Sequence, residues 1–162
     1  MAERTQLSPG GAIVVGLFFG LVGTLVLLVA LGTFGDEHLS DGTPPWVVVA
    51  AGVMFLLGGL AVIVGYGVAG GMGPDGDLPP GTPLVVRVVQ SALGLGAAVM
   101  LASIASWVAF GAGARHFSVV GPFLSDGVNE TLGRTVFGVG AIAMWAFTAV
   151  MLVINIRRLR RR

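Results

Sequence analysis

The residues of this chain that could do chemistry are few, and their spacing narrows what they could do. His38 lies in GDEHLSDG beside Asp36, Glu37 and Asp41, and His116 follows Arg115 in GARHFS. Imidazoles with carboxylates are a ligand set for zinc and related metals, but these two histidines are scattered, with no paired spacing. Both fall in polar connecting stretches rather than at matched depth in apolar ones, so bis-histidine haem ligation is not expected. A solvated or interfacial role suits them better, and no metal or other cofactor is expected. Arg87, with Gln90 and Ser91 close behind, is the other chemical grouping. An ionisable residue inside an apolar stretch is a functional suspect, and these side chains could contact a lipid phosphate or a substrate anion. The long arginine stem could equally reach out to headgroups. No frame for a nucleophilic triad is present, and no phosphate-cradling glycine loop follows a strand. The chain is therefore expected not to be an enzyme.

The elements that would position these residues follow from composition. Of 162 residues, 55% are hydrophobic and 10% charged, with a mean hydropathy of +0.93. Soluble domains carry about 25% charged residues, so this surface cannot face water on all sides. Cysteine is absent, which removes disulfides, thiolate metal sites and lipidation through cysteine. Lysine is absent too, and the net charge of +1 conceals a lopsided distribution. Arg157, Arg158, Arg160, Arg161 and Arg162 crowd the end of the chain.

A bilayer core of ~30 Å needs about 20 mostly apolar residues as helix. Four stretches qualify, at about residues 12–34, 46–68, 84–111 and 135–156, joined by segments rich in Gly, Pro and Asp. Their apolar runs are continuous rather than alternating, so helices rather than barrel strands are expected. The fold class is thus all-α: a polytopic membrane protein with four transmembrane helices in one bundle spanning residues 12–156. The first apolar run is longer than the core of a cleaved leader and lacks a strongly basic start, so it is read as a span. Basic residues flanking spans favour the cytoplasmic side. With both termini cytoplasmic, that side collects Arg4, Arg87 and the five terminal arginines, leaving Arg115 and Arg134 outside. Residues 1–11 and 157–162 then form short cytoplasmic ends of a multi-pass protein in the bacterial inner (plasma) membrane. The arginine tail is expected to anchor to the anionic inner leaflet. Six residues do not make the basic face that nucleic-acid binding needs, so no nucleic-acid partner is expected.

Helices in lipid associate through close packing and occasional hydrogen bonds. The third span offers a seam of Gln90, Gly94, Ala98, Ala102 and Ser106, four residues apart and therefore on one face. Gly16 and Gly20 in GLFFG, then Gly23, supply small residues to the first span, and Gly52, Gly58, Gly59 and Gly65 to the second. Whether the third-span seam packs internally or on a partner, including a second copy, is open at this level. Trp46 and Trp107 suit the outer interface, whereas Trp145 is expected to pack against another helix. The third connection, with HFSVVGPFLSD, is long for a loop and is the surface expected to face a partner.

At SWVAFGAGARHFS and ETLGRTVFGVGAI the chain resembles a family of small uncharacterised bacterial four-span integral membrane proteins. Their pattern is W-[IV]-A-F-G-x-G closing the third helix and G-R-x-x-F-G-x-G-A opening the fourth. The likeness covers about a quarter of the chain and implies an outer-interface motif of Trp107, Phe110, Gly111, Gly113, Arg115, Arg134 and Gly138. Arg134, at the start of the fourth span, would be placed to meet backbone carbonyls where the third ends. Altogether the sequence points to a non-enzymatic membrane component engaged in interaction, assembly or envelope maintenance. The alternative is a small-molecule or lipid transport protein with a polar pocket near Arg87 and Gln90.

Overall fold

A computed structural model describes residues 8–33, 43–72, 78–112 and 126–160. Four helices make up the fold: α1 (Pro9–Ala30), α2 (Pro45–Val62), α3 (Leu84–Phe110) and α4 (Asp126–Arg160). A π-helical turn, Ile63–Val68, continues α2. All four are long and apolar enough to cross a membrane, and no strand occurs among the described residues. The chain is an all-helical, four-span membrane protein.

The helix ends follow local rules. Ser8 caps α1, its hydroxyl accepting from Gly11 N at 3.1 Å, and Pro9 occupies the first turn, where its missing N–H costs nothing. At the other end Thr33 N donates to Leu28 O and Gly32 N to Val29 O, each at 3.0 Å. Gly32, with φ +70°, supplies the left-handed residue that this double closure requires. The helix therefore stops at Ala30, four residues short of the apolar segment. Conversely, α4 starts at Asp126 and reaches Arg160, well beyond the apolar residues 135–156. Its 35 residues extend about 52 Å at 1.5 Å each, longer than a ~30 Å hydrocarbon core. The extra N-terminal turns are polar and carry the pair Glu130–Arg134, which hydropathy does not register as helix.

Neighbouring helices run antiparallel, and the packing follows chain order. α1 lies on α2 and its π-helical turn, α2 on α3, and α3 on α4, with no comparable contact between α1 and α4. The interior consists of small residues: Ala12, Ala50, Ala98, Ala102, Ala109 and Ala141 are buried, while among the described residues no large side chain is fully enclosed. Leu17, Phe18 and Leu21 on α1 and Val139, Ile142 and Phe147 on α4 are exposed. This distribution fits a lipid solvent, where large apolar side chains gain nothing by leaving the surface and small ones let backbones approach.

The closest approach joins α1 and α2. A Cβ added to Gly16 would stand 2.7 Å from Gly59 O, and one on Gly59 would stand 2.6 Å from Gly16 O. One turn pair further along, Gly23 and Gly52 repeat the arrangement, at 2.7 Å from Gly52 O and 3.0 Å from Gly23 O. Phe19 and Phe55 stack between the two pairs, ring centroids 5.9 Å apart. Gly16 to Gly23 and Gly52 to Gly59 are both seven-residue steps, the repeat of a left-handed supercoil seam. Gly20 and Gly58, by contrast, have no atom within 4 Å of an added Cβ. The GLFFG spacing is thus not the one that packs.

Five hydroxyl groups are satisfied within their own helices. Thr24, Ser103, Ser106, Thr135 and Thr148 each donate to the carbonyl four residues back, at 2.7–2.8 Å. In a medium that supplies no hydrogen bonds this is the cheapest way to carry a hydroxyl.

Candidate functional site

Polar side chains gather at two opposite ends of the helix row. At one end α3 finishes and α4 begins. Arg134 is half-buried and donates from Nε to Glu130 Oε1 at 3.1 Å, one helical turn away. Its Nη1 donates to Gly111 O at 3.1 Å and lies 3.5 Å from Ala109 O. Those are carbonyls of the last turn of α3, which no further turn can satisfy. The planar, forked guanidinium suits this double duty, holding a carboxylate and a carbonyl at once. Beside it Gly138 is buried, and an added Cβ there would touch Phe110 Cζ at 3.5 Å and Ala109 Cβ at 3.7 Å. Phe110 itself is exposed. Trp107 meets Trp46 of α2 edge to face, centroids 6.2 Å apart, so α2, α3 and α4 are all tied at this end.

The small-residue seam on α3 lies inside the assembly. Ala98 and Ala102 are buried, Gly94 has Met151 of α4 as its neighbour, and Ser106 Oγ accepts from Trp145 Nε1 at 3.0 Å. Gln90, the last member, turns instead towards α2, where its Nε2 comes within 3.2 Å of a Cβ added at Gly65. The seam therefore serves two neighbours, as expected when a four-residue spacing drifts around a 3.6-residue helix.

At the opposite end, α2 passes into its π-helical turn and α3 begins. Such turns break the regular backbone ladder and are frequent at functional sites. Ala69 N closes onto Val64 O at 2.9 Å and Gly71 N onto Gly65 O at 3.0 Å. Gly65 is buried, its missing Cβ leaving room for Met72 and for the amide of Gln90. Arg87, one turn before Gln90, donates from Nε to Thr82 O at 3.0 Å. Thr82 is buried and donates its hydroxyl to Pro79 O at 2.7 Å. Arg87 thus holds the connection leading into α3. Gln90 Oε1 is different: it is buried and accepts no hydrogen bond, alone in this among the side-chain atoms of the described residues.

Several residues singled out from sequence fall outside the described residues: Arg4, His38, His116, Asp36, Glu37, Asp41, Gly113, Arg115, Arg161, Arg162 and the HFSVVGPFLSD segment up to Ser125. Arg157 is exposed on the last turns of α4, whose backbone also includes Arg158 and Arg160. Among the described residues no three His, Asp or Glu side chains come together as a metal site. Sequence reasoning missed the Gly16–Gly59 and Gly23–Gly52 pairs and the π-helical turn. The seven-residue repeat was present to be found; IVGYGV carries no local signal for a π-helix.

The fold and these junctions define a class, the four-span helical membrane protein with small-residue packing. Comparisons with family models, curated proteins and solved structures gave no match to this chain.

Proposed function

We propose that this protein is a non-enzymatic assembly or interaction component of a bacterial inner membrane, with both termini in the cytoplasm. The observation that carries this reading is where the arginines near the membrane go. Arg134 bonds across to backbone carbonyls at the end of α3, and Arg87 bonds to a carbonyl of the connection leading into its own helix, so both donate to the chain's own backbone. The packing in chain order adds support, because it leaves the far flanks of α1 and α4 to lipid or to a protein neighbour. The arginine-rich end of α4 suits the anionic cytoplasmic leaflet.

Photoreactive residues placed at Val139, Ile142 and Phe147 of α4 test this in native membranes. A discrete protein adduct, changing with position around the helix, is the expected result. Adducts with lipid alone at all three positions would refute the assembly role. Reporter fusions at the two ends should both report the cytoplasm.

A second reading, a lipid-handling or transport protein, is favoured by one observation, the buried unpartnered carbonyl of Gln90 close to Arg87. Replacing Arg87 by Leu should then abolish anion binding or flux while membrane abundance is unchanged.

A further inference from the structure

The face that α2 turns to α1 can be followed residue by residue. A Cβ added at Gly23 would meet Gly52 O and Leu56 Cγ, and one added at Gly16 would meet Gly59 O and the side chain of Ile63. Gly52, Leu56, Gly59 and Ile63 advance by four, three and four residues, the alternation of a heptad seam. The next step, of three, falls on Tyr66. Gly67 faces α1 there instead: a Cβ added to it would lie 3.6 Å from Ile13 Cγ1. The seam has slipped by one residue, and it slips inside the π-helical turn Ile63–Val68. Ala69 N closes onto Val64 O at 2.9 Å, five residues back rather than four, so this turn holds one residue more than an α-helical turn. Tyr66, the chain's one tyrosine, is half-buried, whereas Gly52 and Gly59 earlier in the seam are buried.

We propose that the π-helical turn is a register device: its surplus residue moves Tyr66 off the α1 seam and brings Gly67 onto it. In an unbroken α-helix the seam position after Ile63 would belong to Tyr66. It would stand in line with Gly52 and Gly59, where the helices approach too closely for one added carbon. A phenol ring there would force α1 and α2 apart. The five-residue closure lets the fourth residue after Ile63, rather than the third, return to the seam, and a glycine occupies it. Contact between the helices then continues as far as Ile13, close to the start of α1. Tyr66 is left beside the seam, at the end of α2 assigned above to the cytoplasmic interface, where a ring with a polar tip is well placed. The register device itself does not depend on the assembly role or on that orientation.

The test is disulfide cross-linking of Ile13→Cys with Gly67→Cys in native membranes, in a chain that has no cysteine of its own. The approach of Gly67 to Ile13 puts the pair close to disulfide spacing, about 3.5–4.5 Å between Cβ atoms. The full-length pair should cross-link. Two single-residue deletions remove the surplus: deletion of Tyr66 takes the ring away, and deletion of Val64 keeps it. Both should restore a regular α-helix, cross-link as well as the full-length pair, and unfold at a denaturant midpoint no lower than that of the full-length chain. Deletion of Met54, between Gly52 and Gly59, puts those two glycines out of step and should abolish the cross-link. Absence of the cross-link in the full-length pair overturns the inference. Its loss on deletion of Val64 does so too, since the ring is still present and only the length has changed. An undiminished cross-link after deletion of Met54 also overturns it, because the contact would then not depend on register.

Discussion

Replacing Gly59 by Ala probes the α1–α2 contact directly. The new Cβ would stand 2.6 Å from Gly16 O, with Phe19 Cβ at 3.1 Å. A carbon sits comfortably about 3.3–3.6 Å from a carbonyl oxygen, so the backbones must separate by roughly 0.7–1 Å at this point. A gap of that size forfeits about a quarter to a half of each van der Waals contact along the seam. Overpacking of this kind costs about 1–3 kcal/mol, while alanine in place of helical glycine returns about 0.5–1 kcal/mol. Net destabilisation of up to about 2.5 kcal/mol is expected, measured by denaturant titration of the purified chain in detergent. Gly20→Ala and Gly58→Ala are the internal controls. Both add the same methyl to the same two helices where nothing lies within 4 Å, so both should be neutral or stabilising by up to about 1 kcal/mol. Gly23→Ala, 2.7 Å from Gly52 O, should behave like Gly59→Ala. If Gly59→Ala and Gly20→Ala prove equally stable, the seven-residue glycine seam is not what holds these helices together.

Arg134→Met removes the donor to Gly111 O and the partner of Glu130; a loss of about 1–2 kcal/mol is expected in the same titration. Arg134→Lys should recover only part of it, since one ammonium cannot reproduce the fork. A Trp145→Phe and Ser106→Ala double-mutant cycle should return a coupling of about 0.6 kcal/mol, typical of hydrogen bonds between helices in lipid; a coupling indistinguishable from zero would remove that bond from the account. Co-expressed halves divided between α2 and α3 should reassemble and co-purify. Gly96→Leu should prevent this, because a Cβ there already meets Leu57 Cδ1 at 3.0 Å; co-purification of the variant would show that α2 and α3 are held elsewhere.

Four long apolar runs are enough to read the fold class, because a membrane demands helices of that length and punishes any other backbone. Element ends were less legible. The first turns of α4 are polar, and only the pairing of Glu130 with Arg134 indicates that helix continues there. Within the spans, Ala98 and Ala102 stand out through their spacing and are buried. Gly16 invites pairing with Gly20 on the same grounds, yet its structural partner along the helix is Gly23. The choice between four- and seven-residue steps depends on the crossing angle, which belongs to the neighbouring helix and cannot be read from one segment alone. Gln90 reads from sequence as one more member of a small-residue seam. Its separate character comes from the π-helical turn opposite, which has no periodic signature.

Two different devices hold the row together. α1 and α2 meet through close approach at glycine pairs, against which the side chains of Ile63 and Leu27 also pack, with Phe19 and Phe55 filling the space between. α3 and α4 meet through alanines, a tryptophan–serine hydrogen bond and an arginine on helix-end carbonyls. The first device tolerates no added atom; the second relies on directional bonds that lipid cannot replace. Each hairpin therefore carries its own means of closure, and the α2–α3 contact joins the two. Trp46 against Trp107 marks that joint at one end, and Gln90 against Gly65 marks it at the other. The first is a packed aromatic pair. The second holds a buried side-chain carbonyl with no hydrogen-bond partner among the described residues, so the unmet hydrogen-bonding capacity lies at the joint between the hairpins rather than inside either one.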